Sequence, residues 1–118
     1  RDWSSDVCSS DLGLLDRPDR GCVLIAEGAH GPLGYAVLTW GYGIESGGIE
    51  SLLDEMFVTE PGHGVGSHLL EACLRLAREH GARTMFLETE PHNRRVRGLY
   101  TRHGFMLEDS VWMRQDLQ

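Results

Sequence analysis

Residues Gly62-His63-Gly64-Val65-Gly66-Ser67 set three glycines at every second position, between an apolar run and an amphipathic one. Glycine has no Cβ, so the backbone there can bend sharply and lie close to a ligand. The free N–H groups at the start of the following helix, with its positive dipole end, favour an anion. The chemistry this spacing suits is capture of a phosphate or pyrophosphate by main-chain N–H groups. His63 is the side chain placed to touch it. A dinucleotide fingerprint would need G-x-G-x-x-G, and Ser67 stands where its third glycine would fall. A P-loop would need Gly-Lys-Ser/Thr, which is absent. Taken by itself, the turn also reads as an ordinary helix start. Just before it, Asp54 and Glu55 are adjacent carboxylates in the apolar run. Strand alternation sends them to opposite faces, so one at most meets a common ligand unless a bulge intervenes. The histidines show no H-E-x-x-H or paired spacing, and no metal site is expected.

The elements that must position these groups follow from periodicity. Cys22–Ala26 and Leu33–Trp40 read as an antiparallel hairpin across the Glu27–Pro32 turn. Gly41–Gly48 is glycine-rich and reads as a loop. Ile49–Val58 reads as a third strand. From Val65 the period becomes helical, with Val65, Leu69, Ala72, Cys73, Leu76, Ala77 and His80 on one side and Gly81 as the stop. Thr84–Glu90 reads as a buried strand. Asn93 is a good N-cap for a short helix carrying Val96, Leu99 and Tyr100, which Gly104 ends. Phe105–Glu108 and Val111–Leu117 read as two last strands, with Trp40, Trp112 and Met113 as core or sheet-face residues. The fold class is α/β (α+β), with a mixed, mostly antiparallel central sheet and flanking helices.

The chain of 118 residues suits one domain with one core. Its net charge of −7 argues against nucleic acid as a partner and mildly favours a cationic substrate. Cys8, Cys22 and Cys73 form no metal or redox pattern, and so sparse a set fits a reducing cytoplasm. No apolar run is long enough to span a membrane. Residues 1–12, RDWSSDVCSSDL, have no helical or strand period. They read as a disordered or artefactual leader, resembling a translated sequencing-adapter remnant, and the domain is expected over residues 13–118.

A second block, Asn93 to Phe105, fits N-x-x-x-x-x-L-Y-x-x-x-G-F. Together with Gly62–Gly66, in this order and at this separation, it resembles the GNAT superfamily of acetyl-CoA-dependent N-acetyltransferases. The resemblance covers roughly the last two-thirds of the chain. It implies an acyl-CoA N-acyltransferase-like fold whose usual first strand and helices are missing here. It implies acetyl-CoA as acetyl donor, an amine acceptor, and a fold in which homodimers are frequent. Family members usually carry Arg or Gln where Pro61 stands, so the backbone N–H groups of Gly62, His63, Gly64, Val65, Gly66 and Ser67 are expected to hold the pyrophosphate.

On the same resemblance, Met56, Phe57 and Val58 would hold the pantetheine arm by backbone hydrogen bonds. A backbone N–H near Met56 or Phe57 would polarise the thioester. Glu55 would accept a proton from the acceptor ammonium, directly or through water. Its bland alternative is a solvated edge carboxylate, which is the favoured reading for Asp54; Glu50 and Glu88 are reserves. Tyr100 would protonate the departing thiolate, and its bland alternative is a core tyrosine. Asn93 would touch the cofactor as well as cap its helix. A non-catalytic acyl-CoA-binding or sensing module is the alternative function.

Overall fold

The computed structural model describes residues 4–8, 19–90 and 92–118, and within 4–8 the backbone alone. Five strands form one sheet in the order β1-β2-β3-β4-β5. They are β1 (Ser4–Cys8), β2 (Gly21–Gly28), β3 (Gly31–Gly43), β4 (Gly48–Val58) and β5 (Thr84–Leu87). Helix α1 (Val65–Glu79) links β4 to β5, and α2 (Arg94–Arg102) follows β5. The first four strands pair antiparallel, while β4 and β5 are parallel. A parallel pair needs a long crossover, and α1 supplies it.

The hairpins arise from local turn chemistry. β2 and β3 close at Gly28↔Gly31, where Gly31 takes φ 125°. β3 and β4 close at Gly43↔Gly48, so Gly41–Gly43, expected in a loop, extend the strand instead. From that closure the register runs evenly to Leu38↔Leu53 and then slips, pairing Val37 with Glu55. Asp54 is therefore the extra residue of a β-bulge. Burial shows what the slip does. Ser51 and Leu53 are buried and Met56 and Val58 pack against the core, whereas Asp54, Glu55 and Phe57 are exposed. Without the bulge Glu55 would share the face of Leu53. With it, both carboxylates stand on the open face, which replaces the expected opposition of Asp54 and Glu55.

The core lies between the sheet and α1. Leu38, Leu69, Leu70 and Cys73 are fully buried there, with Ala26 and Ala36 beneath them. The expected apolar side of α1 holds at Val65, Leu69, Ala72, Cys73 and Ala77, with Leu70 added. His80 is exposed but stacks on Trp40 at 4.1 Å. Gly34 lets α1 approach: a Cβ there would fall 3.2 Å from Leu69 Cδ1 and collide with the Phe57 carbonyl. Gly81, at φ 94°, follows the helix end as expected.

Both ends of the chain depart from the expected elements, and so does the end of β5. Within the leader 1–12, Ser4–Cys8 form β1, antiparallel to β2. The outer edge of β2 offers unpaired N–H and C=O groups that template a strand whatever its side-chain period. Residues 1–3 and 9–18 lie outside the described residues. At the other end, residues 105–118 form no strand. Trp112 and Met113, expected in core or sheet-face positions, are 81% and 91% exposed. Apolar alternation makes a strand only where a partner edge receives it, and Glu108-Asp109-Ser110 breaks this segment with residues poor in β-propensity. β5 also ends at Leu87 rather than continuing to Glu90.

Candidate active site

The site begins where the sheet opens. β4 pairs with β5 from Glu50↔Thr84 to Leu53↔Leu87, and there β5 stops. β4 continues to Val58 while still bonded to β3 on its other side. Among the described residues, its backbone from Asp54 to Val58 thus has a free edge towards the gap, able to bond an extended ligand as a missing strand would. Met56, Phe57 and Val58, predicted for that role, all lie on this edge.

At the end of the edge the chain turns into α1. Thr59 fixes the exit, donating both its N–H (2.9 Å) and its hydroxyl (3.0 Å) to the Leu33 carbonyl. Gly62 and Gly64 then adopt φ 98° and 83°, a left-handed backbone that L side chains rarely accept. Gly64 is the N-cap of α1, and no side chain caps the helix. No acidic residue stands in the first turn. Among the described residues, no side chain caps the leading N–H groups of α1, the condition in which a helix start takes an anion. Gly66 faces Leu99, Val58 and Met56, and a Cβ on it would come within 3.5 Å of the Leu99 side chain. The glycine turn, the end of β4 and α2 therefore meet in one place. His63 is exposed within the turn. These residues fit a diphosphate.

α2 starts as expected: Asn93 Oδ1 accepts from the Val96 N–H at 3.3 Å. That bond uses the carbonyl oxygen, leaving the amide NH₂ for a ligand. The helix ends at His103, and the Phe105 N–H returns to the Tyr100 carbonyl at 3.1 Å. Tyr100 is 9% exposed, belongs to the core cluster, and meets the Phe105 ring edge-on at 5.8 Å. Burial, with a smaller contribution from Cys73, raises its pKa above the ordinary phenol value. The Cys73 thiol itself is pushed up to about 12 by burial.

The carboxylate side is built by β3 and β4. Tyr35, opposite Phe57 in the register, donates its hydroxyl to Glu55 Oε2 at 2.5 Å. That bond, then desolvation, then the carboxylate's charge, raise the Tyr35 pKa. The Phe57 ring flanks the Tyr35 ring at 5.9 Å. Glu55 is thus held on the open face, while Tyr100 is packed with the core on the α1 side. The two predicted catalytic residues lie on opposite faces of the sheet, beside a gap in it. Of the reserves, Glu50 bonds Ser46 through Oε2 at 2.5 Å in the β3–β4 turn region, and Glu88 is exposed beyond β5.

Three features were missed from the sequence. Tyr35 is one, because its pairing with Glu55 exists only after the bulge. The second is a link between helices: Ser67 Oγ and His103 Nε2 are 2.9 Å apart, with Glu71 Oε2 3.9 Å from the same nitrogen. The third is Arg95, whose Nη2 lies 3.6 Å from the place a Cβ on Gly62 would occupy. A separate groove runs along the outer side of β5 between Met85, Phe86, Arg83, Phe105 and Met106. It contains none of the glycine-turn residues and not Glu55. Among the described residues, no helix is long and apolar enough to cross a membrane.

Known proteins share this fold. The family model described as the acetyltransferase (GNAT) family matches residues 2–105. The uncharacterized N-acetyltransferase YhfO of Bacillus subtilis (strain 168) is 38% identical over 56 residues, which are 46% of this chain and 38% of that protein. An integron cassette protein, HFX_CASS3, from the mobile metagenome of Cole Harbour Salt Marsh is 30% identical with a TM-score of 0.79. That match covers 89% of this chain and 65% of the cassette protein. The aminoglycoside N-acetyltransferase AAC(6')-Iy, solved in complex with CoA, shares the fold at 22% identity and a TM-score of 0.72, over 85% of this chain and 69% of that one. The chain thus spans about two-fifths of the length of the curated relative and just under two-thirds of the cassette protein.

Proposed function

The chain belongs to the acetyltransferase (GNAT) family, and from that premise we propose that it moves an acetyl group from acetyl-CoA to a primary amine by direct attack. The observation that carries the reading is the gap beside β4: a free strand edge, a glycine turn at its end, Glu55 on one face and Tyr100 packed on the other. Acetyl-CoA supplies the activated thioester. The free edge at Met56–Val58 holds the extended pantetheine arm, and the N–H groups of Gly62–Ser67 hold the diphosphate. Asn93 adds an amide donor at the start of α2.

The chain's own groups then divide the work. The amine must be neutral to attack, so its ammonium loses a proton to Glu55 on the open face, directly or through water. The Tyr35 hydroxyl fixes the orientation of that carboxylate. A backbone N–H at Met56 or Phe57 stabilises the oxygen on which negative charge develops. Tyr100 protonates the departing thiolate. A phenol holds its proton at neutral pH, as a donor must, and burial shifts the Tyr100 pKa further up. Asp54 and Glu55 together give the open face an acidic character that attracts a cationic acceptor.

The assignment of roles is tested with variants. Tyr100→Phe should lower kcat by roughly 10²–10⁴-fold if thiolate protonation limits the rate. Glu55→Gln should lower kcat/KM most at low pH, where the amine carries its proton. An unchanged rate in either variant removes that residue from its role. Tight binding of coenzyme A with no amine-dependent turnover would favour the non-catalytic acyl-CoA-binding reading instead.

A further inference from the structure

The glycine turn has a charge problem that its own side chains do not solve. From Thr59 to Ser67 its only ionisable side chains are Glu60 and His63, and no Lys or Arg is present. Backbone N–H groups bring partial charges, while a diphosphate brings full negative ones. The chain as a whole is acidic, at −7. Four arginines nonetheless gather on one short helix: Arg94, Arg95, Arg97 and Arg102 all lie in the nine residues of α2.

Of these, Arg95 is carried to the turn. Its Nη2 stands 3.6 Å from the Cβ position of Gly62, the first of the left-handed glycines. Among the described residues it has no carboxylate partner, and it is exposed. The packing that brings it there is fixed from both ends of α2. Leu99 seats against Gly66, and His103 bonds Ser67. A Cβ at Gly62 would already stand in van der Waals contact with the guanidinium.

We infer that Arg95 is a cofactor-binding residue, reaching across from α2 to supply the full positive charge that the turn lacks and so selecting a diphosphate-bearing acyl donor. Its planar fork matches phosphate oxygens in a way that a lysine point charge does not. The inference rests on the acetyl-CoA reading and extends it to a residue outside the glycine turn. It also places the diphosphate anchor and the proton donor Tyr100 on one helix, five residues apart.

Calorimetric titration of the intact chain with coenzyme A tests this. Arg95→Ala should weaken binding roughly ten-fold at ~50 mM salt, and the difference should shrink to about two-fold near ~0.5 M as the exposed charge is screened. Arg95→Lys should recover part of the loss. Arg20→Ala makes the same change in net charge at the far end of the sheet. Arg20 precedes Gly21, which aligns through Thr39 with Leu52. That is six residues, or roughly 20 Å of strand, from Val58. This variant should bind as the parent does. The ligand-free melting temperature of Arg95→Ala should match the parent's, separating a lost contact from a loosened helix. Equal affinity in parent and Arg95→Ala, or a loss indifferent to salt, overturns the inference alone. A parent that does not bind coenzyme A overturns the acetyl-CoA reading and the inference together.

Discussion

Inserting one alanine between Glu55 and Met56 should unfold the site and much of the domain with it, although it removes no side chain and adds no charge. After the bulge at Asp54, Val37 pairs with Glu55, Ala36 with Met56 and Tyr35 with Phe57. When that pairing runs on through one added residue, every later side chain on β4 changes face. Met56 and Val58, now packed against the core, would turn outward. At half of the ~1.5–3 kcal/mol for full burial each, that is about 2 kcal/mol. Phe57 would swing opposite Gly34 and towards Leu69, where there is space for no ring. Overpacking of that kind costs roughly 1–3 kcal/mol more. The total, about 3–5 kcal/mol, is a large part of the stability of a small domain. Thermal unfolding followed by circular dichroism should show a melting temperature lowered by more than ~10 °C, or no cooperative transition. Deleting Asp54 removes the bulge instead: Glu55 then follows Leu53 directly and still meets Val37, so no side chain changes face. That variant should melt within about 5 °C of the parent. If the insertion also melts within about 5 °C, the strand has absorbed the added residue, and residue count does not set the faces of β4 beyond Glu55.

Other outcomes follow from the same structure. Leu69→Ala empties a site with no exposed surface and should cost roughly 3–5 kcal/mol in a denaturant titration. Gly64→Ala forces an L side chain to φ 83° and should cost about 1–2 kcal/mol while also weakening coenzyme A binding, because the N–H groups of the turn must shift. Stability should fall as pH rises from about 9 towards 12. Cys73 and Tyr100 both have folded-state pKa values above their ordinary ones, so the folded chain holds protons that the unfolded chain releases in this window. Melting temperatures across that range should decline less steeply in Cys73→Ala.

What the sequence makes legible is what local chemistry decides. The alternate glycines, the Asn93 cap and the stops at Gly81 and Gly104 each act within a few residues, and each stands where its neighbours predict. The apolar side of α1 is legible for the same reason. The bulge is not, because a slip in register depends on how two strands 20 residues apart count from their shared turn. Tyr35 is hidden with it: even pairing would set Tyr35 against Met56, and only the slip brings its hydroxyl to Glu55. Arg95 is hidden by tertiary packing, since nothing in residues 93–97 tells which arginine will meet Gly62. The ends mislead in opposite directions. A segment with no period pairs as β1 because β2 offers an edge, and a segment with good alternation after Phe105 stays unpaired. Pairing is a property of two strands, and a period describes only one.

Acetyl transfer across the gap beside β4 is tested most directly by following release of the coenzyme A thiol from acetyl-CoA by the intact chain, with and without a panel of primary amines. Release should depend on an amine and saturate with it. Release no faster than hydrolysis with every amine, under conditions where coenzyme A binds, would contradict it.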